Sequence, residues 1–188
     1  MAADYLVSSL QPLEIDGPPP YTAEQFLGLC RSQLTEADVA AIEELLVSVP
    51  SAAASAPGGV PSGHRTLVRW RDLDAQLRNA IAAERARLRG QDAARWRRPV
   101  EGCSLFWANR AAAAFQEKDP ARRERLLDKV RWDAAGELTP PAAPLSTGAV
   151  FTYAIRLAIV LRRAARDTEA GNGVFNRLTA ATKIEFKE

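Results

Sequence analysis

One imidazole, two thiols and 23 carboxylates are the side chains from which this 188-residue chain would have to build acid–base, nucleophilic or metal chemistry. His64 lies in a Pro/Gly-rich stretch with no Ser, Cys or carboxylate at a motif spacing from it. A general base there needs partners from elsewhere in the fold, and the local setting predicts a solvated loop histidine. Cys30 and Cys103 stand far apart in apolar helical surroundings, which suits small core hydrophobes and not a disulfide framework. Neither paired Cys-x-x-Cys motifs nor two histidines on one helix face occur, so no metal site is expected. Neighbouring acids such as Glu43 and Glu44 project about 100° apart on a helix and read as surface charges, not as a catalytic pair. The sequence therefore predicts a non-enzyme with no catalytic residue, cofactor or metal of its own.

The arginines offer contact chemistry instead. Arg85, Arg87, Arg89, Arg95, Arg97 and Arg98 resemble a nucleic-acid patch, but at about 100° per residue they fall all round a helix, and Gly90 interrupts them. No single stripe is expected from that set. Arg122, Arg125 and Lys129 fall within about 60° of one another on a helix, with Trp132 at the edge of the stripe. They form the expected partner-binding surface. Arg156 is a charge on an apolar helix, which predicts an ion pair inside the bundle with Asp133 or Glu137.

These side chains need a scaffold, and the composition says which kind. Ala fills 35 positions, whereas there are only three Tyr, six Phe and four Trp, and β-branched residues are few. Helix is favoured over sheet. The net charge is only +2, yet residues 1–60 carry eight acids against one base and residues 61–132 carry 17 bases against nine acids. Such a chain suits a partner of mixed polarity, or folds its acidic part against its basic part. The start MAADYLVSSL lacks the charged and cleavage regions of a signal peptide. The longest apolar run, Ala149 to Leu161, has 13 residues and includes Arg156, against about 20 for a bilayer span. A cytoplasmic chain without a membrane span is expected.

Periodicity and capping signals place the elements. Tyr5–Leu10 reads as a short extended segment before the Pro-rich turn at Asp16–Pro20. Thr22 with Gln25, and Thr35 with Asp38, are start signals for two helices, so residues 22–49 form an acidic αα-hairpin. The Ala, Ser, Pro and Gly of residues 51–63 make a flexible linker or loop. The main helical body covers residues 64–188. A long helix there carries Trp70, Leu73, Leu77, Ile81 and Leu88 on one face, pairs Asp74 with Arg78, and stops at Gly90. Cys103–Glu117 is the next helix, presenting Leu105, Phe106, Ala113 and Ala114 to a neighbour. Asp119-Pro120 opens another, with Leu126, Leu127, Val130, Ala134 and Leu138 inward. Ala149–Asp167 is apolar nearly all round and belongs at the centre. Beyond it come a Gly171-Asn172-Gly173 break and a last helix over Val174–Thr182. The expected fold is all-α: one irregular antiparallel bundle of about six to seven helices with an extended N-terminal segment.

Four segments also carry a resemblance: Asp4–Leu10 with Pro12-Leu13 and the Gly17-Pro18-Pro19 turn, Phe26–Cys30, Leu126–Asp133 and Phe151–Leu157. In these the chain resembles an uncharacterised bacterial family encoded among the components of V/A-type rotary ATPases. The resemblance implies a non-catalytic component or accessory of that machine, in the place of its C-type adaptor, the d type in eukaryotes, supporting ATP-driven ion transport or ATP synthesis. Its partners would be the central axle and the membrane rotor ring, and it would sit at the inner face of the cell membrane through them. The alternative is a nucleic-acid-binding helical module using the basic middle region, and nucleic acid is the less expected partner.

Overall fold

Capping side chains open the helices where the local sequence puts them. The computed structural model describes residues 2–48, 64–100 and 104–165, among which there are seven α-helices and no strand. They are α1 (Ala2–Ser9), α2 (Ala23–Arg31), α3 (Glu36–Ser48), α4 (Arg65–Arg89), α5 (Leu105–Ala114), α6 (Pro120–Ala135) and α7 (Thr147–Ala164). The Thr22 hydroxyl accepts from Gln25 N–H while the Gln25 side chain accepts from Thr22 N–H, a reciprocal cap for α2. Thr35 accepts from Asp38 N–H at the start of α3, and Asp119 accepts from Ala121 N–H beside Pro120 at the start of α6. Gly90 closes α4 with φ of 63°, its N–H and that of Gln91 returning to the Ala86 carbonyl, a left-handed cap that only glycine adopts without strain. The expected linker at 51–63, residue Cys103 and the C-terminal helix after Asp167 lie outside the described residues.

The N-terminal segment corrects the expectation of an extended conformation. Tyr5–Ser9 belong to α1, which packs on α7 and buries Leu6 fully. So short a helix is marginal alone, and burial of Leu6 against α7 outweighs the weak local propensity. The polypeptide after it is held by two phenols. Gln11 N–H donates to the Tyr21 oxygen, and Tyr153 O–H donates to the Gln11 carbonyl.

α7 is central, as its all-round apolar pattern predicts. Nine of its residues from Val150 to Val160 are buried, and it contacts α1, α2, α3 and α6. α4 packs mainly on α5, and with α6 they enclose a second apolar cluster of Ile81, Ala111, Ala114, Phe115 and Leu127. Three inward assignments are corrected. Leu88, Leu126 and the α5 group Leu105, Phe106 and Ala113 are exposed, whereas Trp107, Ala111 and Ala114 form the buried face of α5. The apolar residues of α5 occupy more azimuth than its neighbours cover, and α4 and α6 take the Trp107 side.

Buried polar links fasten α6 to α7. Asp128 is fully buried in ion pairs with Arg131 and Arg162, and Thr152 O–H donates to the Ala135 carbonyl. Arg163, near the end of α7, reaches Asp16 in the N-terminal connection. No helix among the described residues is long and apolar enough to cross a membrane.

Candidate functional site

Two surfaces, on different sides of α6, collect chemistry. The first is the stripe expected from the sequence. Arg122, Arg125 and Lys129 are all exposed along one side of α6. Arg122 approaches Asp119 at 3.6 Å and Lys129 bonds Asp133 at 2.6 Å, while Arg125 has no acidic partner among the described residues. Trp132 does not belong to this surface. It is only 8% exposed and lies beneath Arg156, whose guanidinium sits 4.9 Å from its ring centre.

That contact also corrects the pairing of Arg156. Its Nε donates to the Trp132 carbonyl, and no carboxylate lies within ion-pair distance among the described residues. Asp133 instead bonds Arg110 and Lys129, and Glu137 accepts from the Trp107 indole. Burial lowers the Arg156 pKa, and Asp133 opposes that effect only from a distance. A ring face and a carbonyl replace the expected acid.

Arg110 extends the stripe onto α5. Its guanidinium reaches Asp133 at 2.8 Å and lies over the rings of Phe106 and Trp107. Phe106 is 59% exposed and Leu105 71%. Leu126 lies among the cations of the α6 stripe, within about 40° of Arg122 on the helix. Exposed apolar side chains and cations thus occur side by side along this face of α5 and α6.

The second surface departs from the sequence reading of the basic middle region. Arg78, Arg85 and Arg89 of α4, Arg98 of the following segment, Arg131 of α6 and Arg162 of α7 line one cleft of about 450 Å³. Arg78, Arg131 and Arg162 stand outside the six arginines that resemble a nucleic-acid patch in the sequence, and three of those six, Arg87, Arg95 and Arg97, do not line the cleft. Residues 78, 85 and 89, seven and eleven positions apart, fall within about 40° on a helix. That spacing is the signal the sequence offers for the cleft. Gly90 reverses the chain, and Asp92 caps a single 3-10 turn over Ala93–Trp96. Asn79 then donates to the Arg98 carbonyl and accepts from its N–H, which fixes Arg98 opposite α4.

His64 corrects the expectation of a solvated loop histidine. Its ring stacks on Phe151 at 4.6 Å, its Nε2 lies 2.8 Å from Asp38, and its side chain is 20% exposed. Asp38 also accepts from the Thr35 hydroxyl. The acid thus stands between hydroxyl and imidazole, whereas a nucleophile relay needs the imidazole in the middle. The contact ties the start of α4 to the hairpin. Cys30 is buried in α2, and burial pushes its thiol up to about 12, far from the thiolate that nucleophilic chemistry requires. Among the described residues no three of His, Cys, Asp and Glu gather as a metal site would need.

Set against protein-family models, curated proteins and solved structures, the chain gives no significant match.

Proposed function

We propose that this chain is a non-catalytic component or accessory of a V/A-type rotary ATPase, working as a helical adaptor between the central axle and the membrane rotor ring. The resemblance in the four segments supplies the machine, and the face on α5 and α6 supplies the means of docking. Exposed Leu105, Phe106 and Leu126 beside Arg122, Arg125 and Lys129 carry the reading. Exposed aromatic and aliphatic side chains with arginines near them are the composition of a protein interface. The cations steer the approach to an acidic partner, and the apolar side chains hold it once salt has screened the steering. Such an adaptor acts on the cytoplasmic side and needs no span of its own.

Affinity purification of a tagged copy from its native cells in mild detergent tests the reading, with mass spectrometry after low-salt and high-salt washes. Rotary ATPase components retained through the high-salt wash are the expected outcome. Their absence from both washes overturns it.

A further inference from the structure

We infer that the arginine-lined cleft between α4, α6 and α7 is a binding site for a nucleoside di- or triphosphate. This inference stands on the cleft alone and is independent of the proposed assembly role. Six guanidinium groups face the one lining carboxylate, Glu124, and with Asp74 and Asp128 counted behind them three positive charges remain in excess. The Arg89 and Arg98 side chains have no acidic partner among the described residues, and Arg85 meets Glu124 only at 3.4 Å. Planar guanidinium forks bind carboxylate or phosphoryl oxygens two at a time, and an excess of three positive charges matches a polyphosphate better than a single carboxylate. Burial lowers the Arg131 pKa, Asp74 and Asp128 oppose that effect, and neighbouring Arg162 adds to it. The negative charge of an incoming polyanion would offset the repulsion between the two arginines.

The cleft also offers a place for a ring. Its volume of about 450 Å³ falls in the range of small-molecule sites, roughly 300–1,000 Å³. Ile81, Ala82 and Ala86 give it an apolar wall, and Trp96 presents an indole that is 46% exposed. A base stacked on Trp96 with its phosphates among the arginines uses both halves. A cleft of this size suits a mononucleotide, whereas a nucleic acid strand would call for a continuous track.

Trp96 supplies the readout, because Trp70, Trp107 and Trp132 are all buried. The full chain is titrated with ADP, with inorganic tripolyphosphate and with a single-stranded oligothymidine, following fluorescence and, in parallel, calorimetry. ADP is expected to bind one to one, to quench the fluorescence and to be displaced by tripolyphosphate. Trp96→Phe should abolish the quenching and weaken ADP about fivefold while leaving tripolyphosphate unchanged, as loss of a stacking face requires. The double variant Arg89→Glu, Arg98→Glu should weaken both phosphate ligands at least about tenfold, with an unchanged circular dichroism spectrum and melting temperature. Three results would overturn the inference: no ADP binding at millimolar concentration, ADP affinity indifferent to the double variant, or oligothymidine binding that ADP does not displace.

Discussion

Asp128 is the residue on which the joint between α6 and α7 turns. It is fully buried and shared by Arg131 and Arg162, so removing its charge leaves two guanidinium groups without their counterion. Asp128→Asn should destabilise the fold by about 3 kcal/mol, the scale of breaking a buried pair from one side, and a urea midpoint measures it. A second residue-scale consequence concerns alkali. Burial raises the Cys30 thiol from 9.0 to about 12. Burial and then the neighbouring Tyr21 raise the Tyr153 phenol from 10.0 to about 12. Both groups stay protonated in the folded chain at a pH where the unfolded chain has released those protons. Their stabilisation is therefore complete below about pH 9 and lost as pH rises towards about 12. Urea midpoints should fall between those limits, and the fall should be shallower in Tyr153→Phe. A midpoint that stays level across that range would contradict the assignment of these two groups. Neither effect is legible in the sequence, because Asp128, Cys30 and Tyr153 become unusual only through what other helices place around them.

Among the elements, the beginning of α7 has the least room to change. A Cβ on Gly148 would stand 2.3 Å from the Leu138 carbonyl oxygen, a backbone atom that yields only if the preceding turn moves. Gly148→Ala should cost about 1–3 kcal/mol as an overpacking change, although alanine is the better helix former. A thermal melt showing Gly148→Ala equal to or above the parent chain would mean that the turn relaxes freely. Helix ends are the part of the fold most open to sequence reading, because a cap is a local hydrogen bond. Thr22 with Gln25, Asp119 with Pro120, and Gly90 all act where their spacing puts them. Helix faces are less open. Which side of α5 is inward depends on α4 and α6, so Leu105 and Phe106 read as core and stand in solvent, while Trp132 reads as surface and is buried. The extended reading of α1 fails for the same reason, its helix being secured by burial of Leu6 against α7. The cleft is half legible: the seven- and eleven-residue spacing of Arg78, Arg85 and Arg89 is written in the chain, but Arg131 and Arg162 join them only through α6 and α7.

At the scale of the whole molecule, the uneven charge along the chain is partly consumed within the fold. The acidic hairpin meets the basic middle through Glu44 with Arg71 and Asp38 with His64, and the N-terminal connection meets α7 through Asp16 with Arg163. Two of the remaining basic surfaces meet at α6. Arg122, Arg125 and Lys129 point one way, while Glu124 and Arg131, which line the cleft, lie about 100–180° round the helix from them. Separate placement makes the two surfaces separable by mutation. Reversing Arg122, Arg125 and Lys129 to Glu should abolish capture of rotary ATPase components at low salt, since steering fails first, and leave ADP affinity within about twofold, because none of the three lines the cleft and exposed charges are screened by salt. Reversing Arg89 and Arg98 should do the converse, lowering ADP affinity at least about tenfold while capture persists. The two measurements are made on the same four samples: parent, each reversal and the combination. If both reversals impair both readouts in folded protein, the surfaces form one continuous site and the division proposed for α6 is wrong. If each impairs only its own, one helix carries a docking face on one side and a ligand site on the other, and the failure of either proposal would leave the other standing.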